Sequence, residues 1–482
     1  MTISGIEKLT QRHKSTKQWS DMFFFYIRLY LFKVLKIFNF AYKNILERID
    51  KLSDNSAPSA PSCLRVKLIL LTFVICLPIN ISAQYFSTPE LLVPLVENAP
   101  NIVSRAAVMV DAETGALLYF KNGDDEIPPA SLTKLMTMYL VMNEIREGRA
   151  SYDEIIPITE ESWAQRQPLQ SSLMFLEPGQ IVTLREILLG LAVASGNDAA
   201  VAAAFRVTPD MDEFAKLMTM QARRMGLKVT RFAESSGYSS QNMTTANEFA
   251  FFCYQYIKLN PDSMKNFHSI LEFSYPLEKN VRERRKDSFS TITQTNRNTL
   301  LGKFEGVDGL KTGFIPESGY NIALTAKRDQ TRFILVLLGA PSQRGGSRIR
   351  EEDGFRLLSW AFENFKTVSA KTIELDDVQL WKGKEKSVKL ALNSEKLIFT
   401  SPLDRADELY YETVIDGTLV APLAKDHPVG CLVISDQFGE LHRERLVTAA
   451  SYEKGNILKN IWHSVVLLFK KILDNIPKHL YS

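Results

Sequence analysis

Histidine and cysteine are both scarce in this 482-residue chain, with six of the first and four of the second. Between Ala83 and His427 the only histidine is His268, and it stands in no motif. A serine–histidine–aspartate arrangement would have to be built on that one ring, so His268 is read as a structural or surface residue. No His-Glu-x-x-His segment exists, which leaves a zinc protease without ligands, and no Cys-x-x-Cys pair or Gly-rich phosphate loop occurs. No metal and no cofactor is therefore expected. A dominant charge is also missing: the net charge is +3. Residues 1–83 hold 12 Lys+Arg against 5 Asp+Glu, so the remainder has four more acidic than basic residues. A slightly acidic body argues against a nucleic-acid partner.

An uninterrupted run of membrane-spanning length is lacking too. Leu68 to Leu77 is apolar, but Pro78 and Asn80 leave the run too short to cross a bilayer. With Arg65 and Lys67 before it and Ile81-Ser82-Ala83 after it, Leu64–Gln84 reads as a secretory signal, residues 64–83 being removed. Residues 1–63 precede it. Phe23–Leu46 is aromatic-rich and carries Arg28, Lys33, Lys36 and Lys43, which suits a membrane surface. The other reading is a misplaced start, with translation beginning near Leu64. Cleavage after Ala83 leaves Cys253 and Cys431, far apart and expected as free thiols.

What is present points to a packed protein, since 45% of the residues are hydrophobic. Asn101–Asp111 and Ala116–Phe120 flank Glu113-Thr114-Gly115 as a hairpin. A helix is expected to open at Ser131 and run to about Arg146. Leu184–Ala194 reads as a helix broken at Ser195-Gly196-Asn197, with helix again at Ala199–Phe205. Thr245-Ala246-Asn247-Glu248 resembles a helix cap. Tyr320–Lys327 and Arg332–Gly339 form a second hairpin, and Phe355–Phe365 an amphipathic helix. Strands at both ends with helices between predict an α+β domain over about 91–366. From Lys371 to Ala449 short β-like segments alternate with turns, predicting a small all-β domain over 371–450. Ile457–Ile476 carries an apolar stripe that includes Trp462, with Lys459, Lys470, Lys471 and Asp474 opposite. It reads as an interfacial membrane helix over 455–476, or as a helix docked on the domain.

Three short motifs stand in order: Ser131-Leu132-Thr133-Lys134, Ser195-Gly196-Asn197 and Lys311-Thr312-Gly313. Ser-x-x-Lys recurs at Ser451–Lys454, and Ser-x-Asn at Ser53–Asn55 and Ser240–Asn242, so each motif alone says little. Their order, each in a fitting local setting, carries the signal. Residues three apart share a helix face, so Lys134 can reach Ser131. A serine hydroxyl needs a base, and a lysine serves once burial or a second cation, such as Lys311, lowers its pKa. Ser195 would relay a proton to the departing group. Asn197 would hold a substrate amide and steady Lys134. The oxyanion would sit between the backbone N–H groups of Ser131 and Phe314.

The triplet resembles the penicillin-binding fold, and its context is similar to that of the serine-type D-alanyl-D-alanine carboxypeptidases, the low-molecular-mass penicillin-binding proteins. The matching stretches are Pro129–Lys134, Ser171-Ser172-Leu173-Met174-Phe175, Ala192–Asp198, Asn296-Arg297-Asn298 and Val307–Gly313. The resemblance covers nearly everything after Gln84. It implies a β-lactamase-like transpeptidase domain, a small all-β domain and a C-terminal amphipathic anchor. It implies removal of the terminal D-alanine from peptidoglycan pentapeptides through a Ser131 acyl-enzyme, and covalent acylation by β-lactams. It also implies an exported enzyme held peripherally at the periplasmic face of the inner membrane. Lys311, Thr312 and Gly313 would bind substrate, and Arg350 or Arg297 would take its terminal carboxylate, with Arg350 favoured; the other reading makes both arginines structural. Phe314 stands where several relatives carry histidine, but only its backbone N–H is needed. The basic Arg282–Asp287 stretch reads as a solvated loop. A β-lactamase would call for a glutamate-held water, and no Glu-x-x-Leu-Asn element is present. A D,D-endopeptidase shares the motifs, and a non-catalytic wall-binding scaffold would not need Ser131, Lys134 and Lys311.

Overall fold

A computed structural model of the chain describes residues 99–282, 289–370, 373–404 and 408–474. The secretory signal, the segment before it and most of Arg282–Asp287 lie outside the described residues.

A five-stranded antiparallel sheet forms the centre of the first domain. Its strands are β1 (Ala106–Asp111), β2 (Leu117–Lys121), β3 (Val307–Ile315), β4 (Gly319–Arg328) and β5 (Thr331–Ala340), in the order β2-β1-β5-β4-β3. Both hairpins expected from the sequence are present. The strands read as nearly unbroken apolar runs because both faces are covered. Ile334, Val336 and Leu338 enter one core with Val108 and Val110, whereas Phe333, Leu335 and Leu337 enter a second with Ala107 and Met109. That alternation follows from the two-residue period of a strand.

The first core is roofed by α1 (Lys134–Arg146), α2 (Leu184–Leu189), α3 (Asn197–Val207), α4 (Met211–Arg224) and α5 (Ala246–Leu259). Three of these helices start on side-chain caps: Glu186 N–H donates to Thr183 Oγ1, Glu213 N–H to Asp210 Oδ1 and Glu248 N–H to Thr245 Oγ1. The second core is closed by α6 (Gly346–Asn364) through Leu357, Leu358, Trp360 and Ala361. Sequence periodicity placed this helix at Phe355–Phe365; it starts nine residues earlier, and Phe365 instead opens a strand.

That strand, Phe365–Ala370, pairs antiparallel with Leu397–Pro402 and leads into a β region whose four-stranded sheet contains Tyr410–Ile415, Pro428–Asp436 and Gly439–Thr448. Its core gathers Val388, Phe399, Val429, Ile434 and Leu446. Asp111, at the end of β1, ties the two regions together: its Oδ2 accepts from Thr367 Oγ1 and Thr400 Oγ1, both at 2.8 Å. Burial pushes this carboxyl up, and the hydrogen bonds it accepts oppose that. Cys253 and Cys431 are free thiols. The last described helix, α7 (Ile457–Asp474), leaves Ile457, Leu458, Ile461, Trp462 and Leu468 exposed. No helix among the described residues is long and apolar enough to cross a membrane.

Candidate active site

Ser131 lies in a short 3-10 turn, Ala130–Thr133, that runs directly into α1. The sequence reading began the α-helix at Ser131; the tighter turn moves that start to Lys134. Lys134 is the first α-helical residue and its side chain is fully buried, with 0% exposure. Its Nζ lies 3.0 Å from Ser131 Oγ, 2.8 Å from Asn197 Oδ1 and 2.6 Å from the carbonyl oxygen of Ser236. Burial lowers this lysine to about 7, with the positive charge of Arg297 adding to the effect and Glu234 and Asp198 opposing it. A fall from 10.5 to about 7 disfavours the ammonium by roughly 5 kcal/mol.

The second motif sits where α2 passes through a five-residue π turn, Gly190–Ala194. Ser195 then adopts a left-handed backbone, φ 59° and ψ 32°, and is nearly fully buried. This is the break expected at Ser195-Gly196-Asn197, and it reverses the chain so that Asn197 opens α3 facing α1. Gly196 cannot be larger, because a Cβ there would lie 2.6 Å from Asp198 Oδ1 and 2.8 Å from Met174 N. Asn197 accepts from Lys134 through Oδ1, and its Nδ2 donates to Ser171 Oγ at 3.0 Å. Asp198 anchors the neighbouring segment by accepting from the backbone N–H groups of Met174, Phe175 and Leu176.

The third motif lies on β3, the edge strand of the sheet. Lys311 is 2% exposed, and its Nζ donates to the Thr312 carbonyl at 3.0 Å. Burial holds it well below the usual lysine range, and the charges of Lys134, Arg297 and Arg350 lower it further. The sequence reading offered burial or a second cation such as Lys311 as what lowers Lys134; burial is the larger cause, and the cation that adds to it is Arg297. Gly313 brings this strand against the turn that holds Ser131: a Cβ there would lie 2.9 Å from Pro129 O and 3.0 Å from Ser131 N. Thr312 is buried, whereas the Phe314 ring is exposed and packs on Tyr320 at 4.3 Å between centroids.

The two arginines differ. Arg350 is buried on α6, with Nη1 3.5 Å from Asn321 O, Nη2 3.5 Å from Glu351 Oε1 and a buried Nε with no hydrogen-bond partner. Arg297 is exposed over the residue as a whole, yet burial around its guanidinium lowers it, and its charge acts on both Lys134 and Lys311. Its neighbours pin it: Asn296 Nδ2 donates to Ile270 O at 3.0 Å, and Asn298 Nδ2 donates to Gly309 O at 3.1 Å.

His268 is buried rather than at the surface. Its Nε2 pairs with Tyr256 OH at 2.8 Å and its Nδ1 with Leu310 O at 3.2 Å, so it buttresses the strand bearing Lys311. Burial lowers it to about 3, so it is neutral and no competitor for the role of base. No group of His, Cys, Asp and Glu able to hold a metal occurs among the described residues. Ser171, Ser236, Glu234 and Asp198 belong to the site and were not assigned roles from sequence. Only Ser171 and Asp198 fell within stretches that drew attention there.

Comparison with known proteins identifies the family. Residues 94–342 match the Peptidase_S11 family, D-alanyl-D-alanine carboxypeptidase, and residues 362–454 match the C-terminal domain of penicillin-binding protein 5. The chain is 31% identical to a D-alanyl-D-alanine carboxypeptidase, DacA, of Haemophilus influenzae over 78% of its own length and 92% of that protein's. It is 32% identical to the carboxypeptidase DacD of Escherichia coli over 77% of its own length and 92% of the relative's. The solved penicillin-binding protein 5 from Haemophilus influenzae superposes with a TM-score of 0.67 at 29% identity, covering 74% of this chain and 99% of that one. The chain belongs to the D-alanyl-D-alanine carboxypeptidase family of serine hydrolases, with the penicillin-binding fold and a C-terminal β domain.

Proposed function

We propose that the chain removes the terminal D-alanine from peptidoglycan pentapeptides through an acyl-enzyme on Ser131. The observation that carries this reading is the buried Lys134 amine, 3.0 Å from Ser131 Oγ and lowered to about 7. As the neutral amine, Lys134 takes the hydroxyl proton while Ser131 Oγ attacks the carbonyl carbon of the penultimate D-alanine. The oxyanion forms between the backbone N–H groups of Ser131 and Phe314. The closeness of Gly313 to Ser131 N supports that assignment. The C–N bond then breaks, Ser195 relays a proton to the departing amine, and water hydrolyses the ester.

Asn197 holds Lys134 and a substrate amide. Lys311, Thr312 and Gly313 line the substrate strand. Of the two arginines, Arg297 is the better placed for the terminal carboxylate, because it is exposed and its charge reaches both lysines, whereas Arg350 is buried on α6 and held by Asn321 O and Glu351. β-Lactams acylate the same serine. The apolar exposed face of α7 supports peripheral anchoring at the periplasmic face of the inner membrane after export.

Incubating the folded chain with a pentapeptide ending in D-Ala-D-Ala tests the reading. Release of one D-alanine per peptide is expected. A folded enzyme that releases none, or that cleaves only cross-linked dimers as an endopeptidase would, overturns it.

A further inference from the structure

A neutral amine has two N–H donors and one lone pair. Around Lys134 Nζ stand three oxygens: Asn197 Oδ1, the Ser236 carbonyl and Ser131 Oγ. The first two can only accept, so they take both N–H groups and leave the lone pair for the hydroxyl. The Ser236 carbonyl makes the shortest of these contacts, 2.6 Å, so whatever fixes Ser236 fixes the direction of the base.

Ser236 is fixed by Glu234. One carboxylate oxygen of Glu234 accepts from Ser236 N at 2.6 Å and Ser236 Oγ at 2.5 Å. The other accepts from Gly237 N at 2.7 Å and Asn242 Nδ2 at 2.9 Å. The loop held this way is stitched to the nucleophile turn and α1 at two more places. Asn242 Nδ2 donates to Thr133 Oγ1 at 3.1 Å, and Thr137 Oγ1 donates to Ser235 O at 2.7 Å. Gly237, at φ +81°, lies so close to the turn that a Cβ would fall 1.8 Å from Ala130 O. The loop therefore has no slack towards Ser131.

We propose that Glu234 is a positioning residue for acylation: by gripping the Ser236 backbone it aims the lone pair of Lys134 at Ser131. This rests on Lys134 being the base. Glu234 also acts through charge. The ionisable groups facing Lys134 are Glu234 and Asp198, which favour its protonated form, and Arg297, which opposes it; Lys311 lies beside it on β3. Deleting the negative charge of Glu234 makes the ammonium easier to deprotonate, so the rising limb of acylation against pH must move to lower pH.

The test is the acylation rate of the full chain by a fluorescent penicillin across pH, for wild type, Glu234→Gln, Glu234→Asp and Lys134→Ala. Glu234→Gln is expected to slow acylation on the order of tenfold or more on the plateau and to move the limb downward in pH. Glu234→Asp, which keeps the charge but shortens the reach, is expected to be slower with an unmoved limb, and it carries the test if the glutamine variant does not fold. Wild-type rates in both variants overturn the proposal. So does a slower Glu234→Gln with an unmoved limb, which would make the residue merely structural. Near wild-type acylation by Lys134→Ala would instead overturn the base assignment beneath it.

Discussion

The catalytic cleft and the terminal helix break the usual distribution of polarity in opposite directions. The cleft buries Lys134, Lys311 and Arg350, residue types that seldom leave water. Helix α7 does the reverse, leaving Leu458 79% and Trp462 66% exposed. In the cleft, burial turns an ordinary ammonium into an amine that can accept a proton near neutral pH. On α7, an apolar stripe stays exposed, as the proposed peripheral anchoring requires. Between these extremes, the β domain and the flanks of the sheet obey the ordinary rule, with Phe399, Ile434 and Leu446 inside.

If the two departures serve separate tasks, they should be separable. The largest expected effect is at the cleft. Lys134→Ala should lower acylation and D-alanine release by about a thousandfold while leaving vesicle binding unchanged, measured by stopped-flow labelling and flotation of the same preparation. Next, wild-type acylation should rise with pH through about 7 and level off above it, because the base must be deprotonated and burial sets its value there. Below that point the rate should fall about tenfold per pH unit. A limb near the ordinary lysine value would show the amine to be solvated. At the other end, Trp462→Ser should weaken partitioning onto anionic vesicles by about tenfold with D-alanine release from soluble pentapeptide unaltered. The smallest effect is expected at Phe314→Ala, within about threefold of wild-type acylation, since catalysis asks only for the backbone N–H.

The two regions also differ in how much their sequences disclosed. The three motifs were legible because each needs particular residue types at short spacing in a fitting setting: a lysine three residues from a serine at a helix start, Ser195-Gly196-Asn197 between two helices, a lysine at the edge of a strand. The hairpins were legible from strand period and turn chemistry, and the α7 stripe from helical period. What was not legible came from residues distant in sequence. Glu234 and Ser236 meet Lys134 across about a hundred positions, and Phe232-Ala233-Glu234-Ser235-Ser236-Gly237 carries no pattern of its own. The start of α6 was missed because its first two turns, Gly346–Asp353, are mostly polar and carry no apolar period. The proposed preference for Arg297 over Arg350 rests on burial, which composition cannot supply.

The central claim is that one serine carries the acyl group. It is tested most directly by trapping the full chain with penicillin, digesting it and locating the adduct by mass spectrometry. The account predicts a single adduct on the peptide containing Ser131, absent from Ser131→Ala. An adduct on Ser195, Ser171 or any other residue, or labelling that persists in Ser131→Ala, would contradict it.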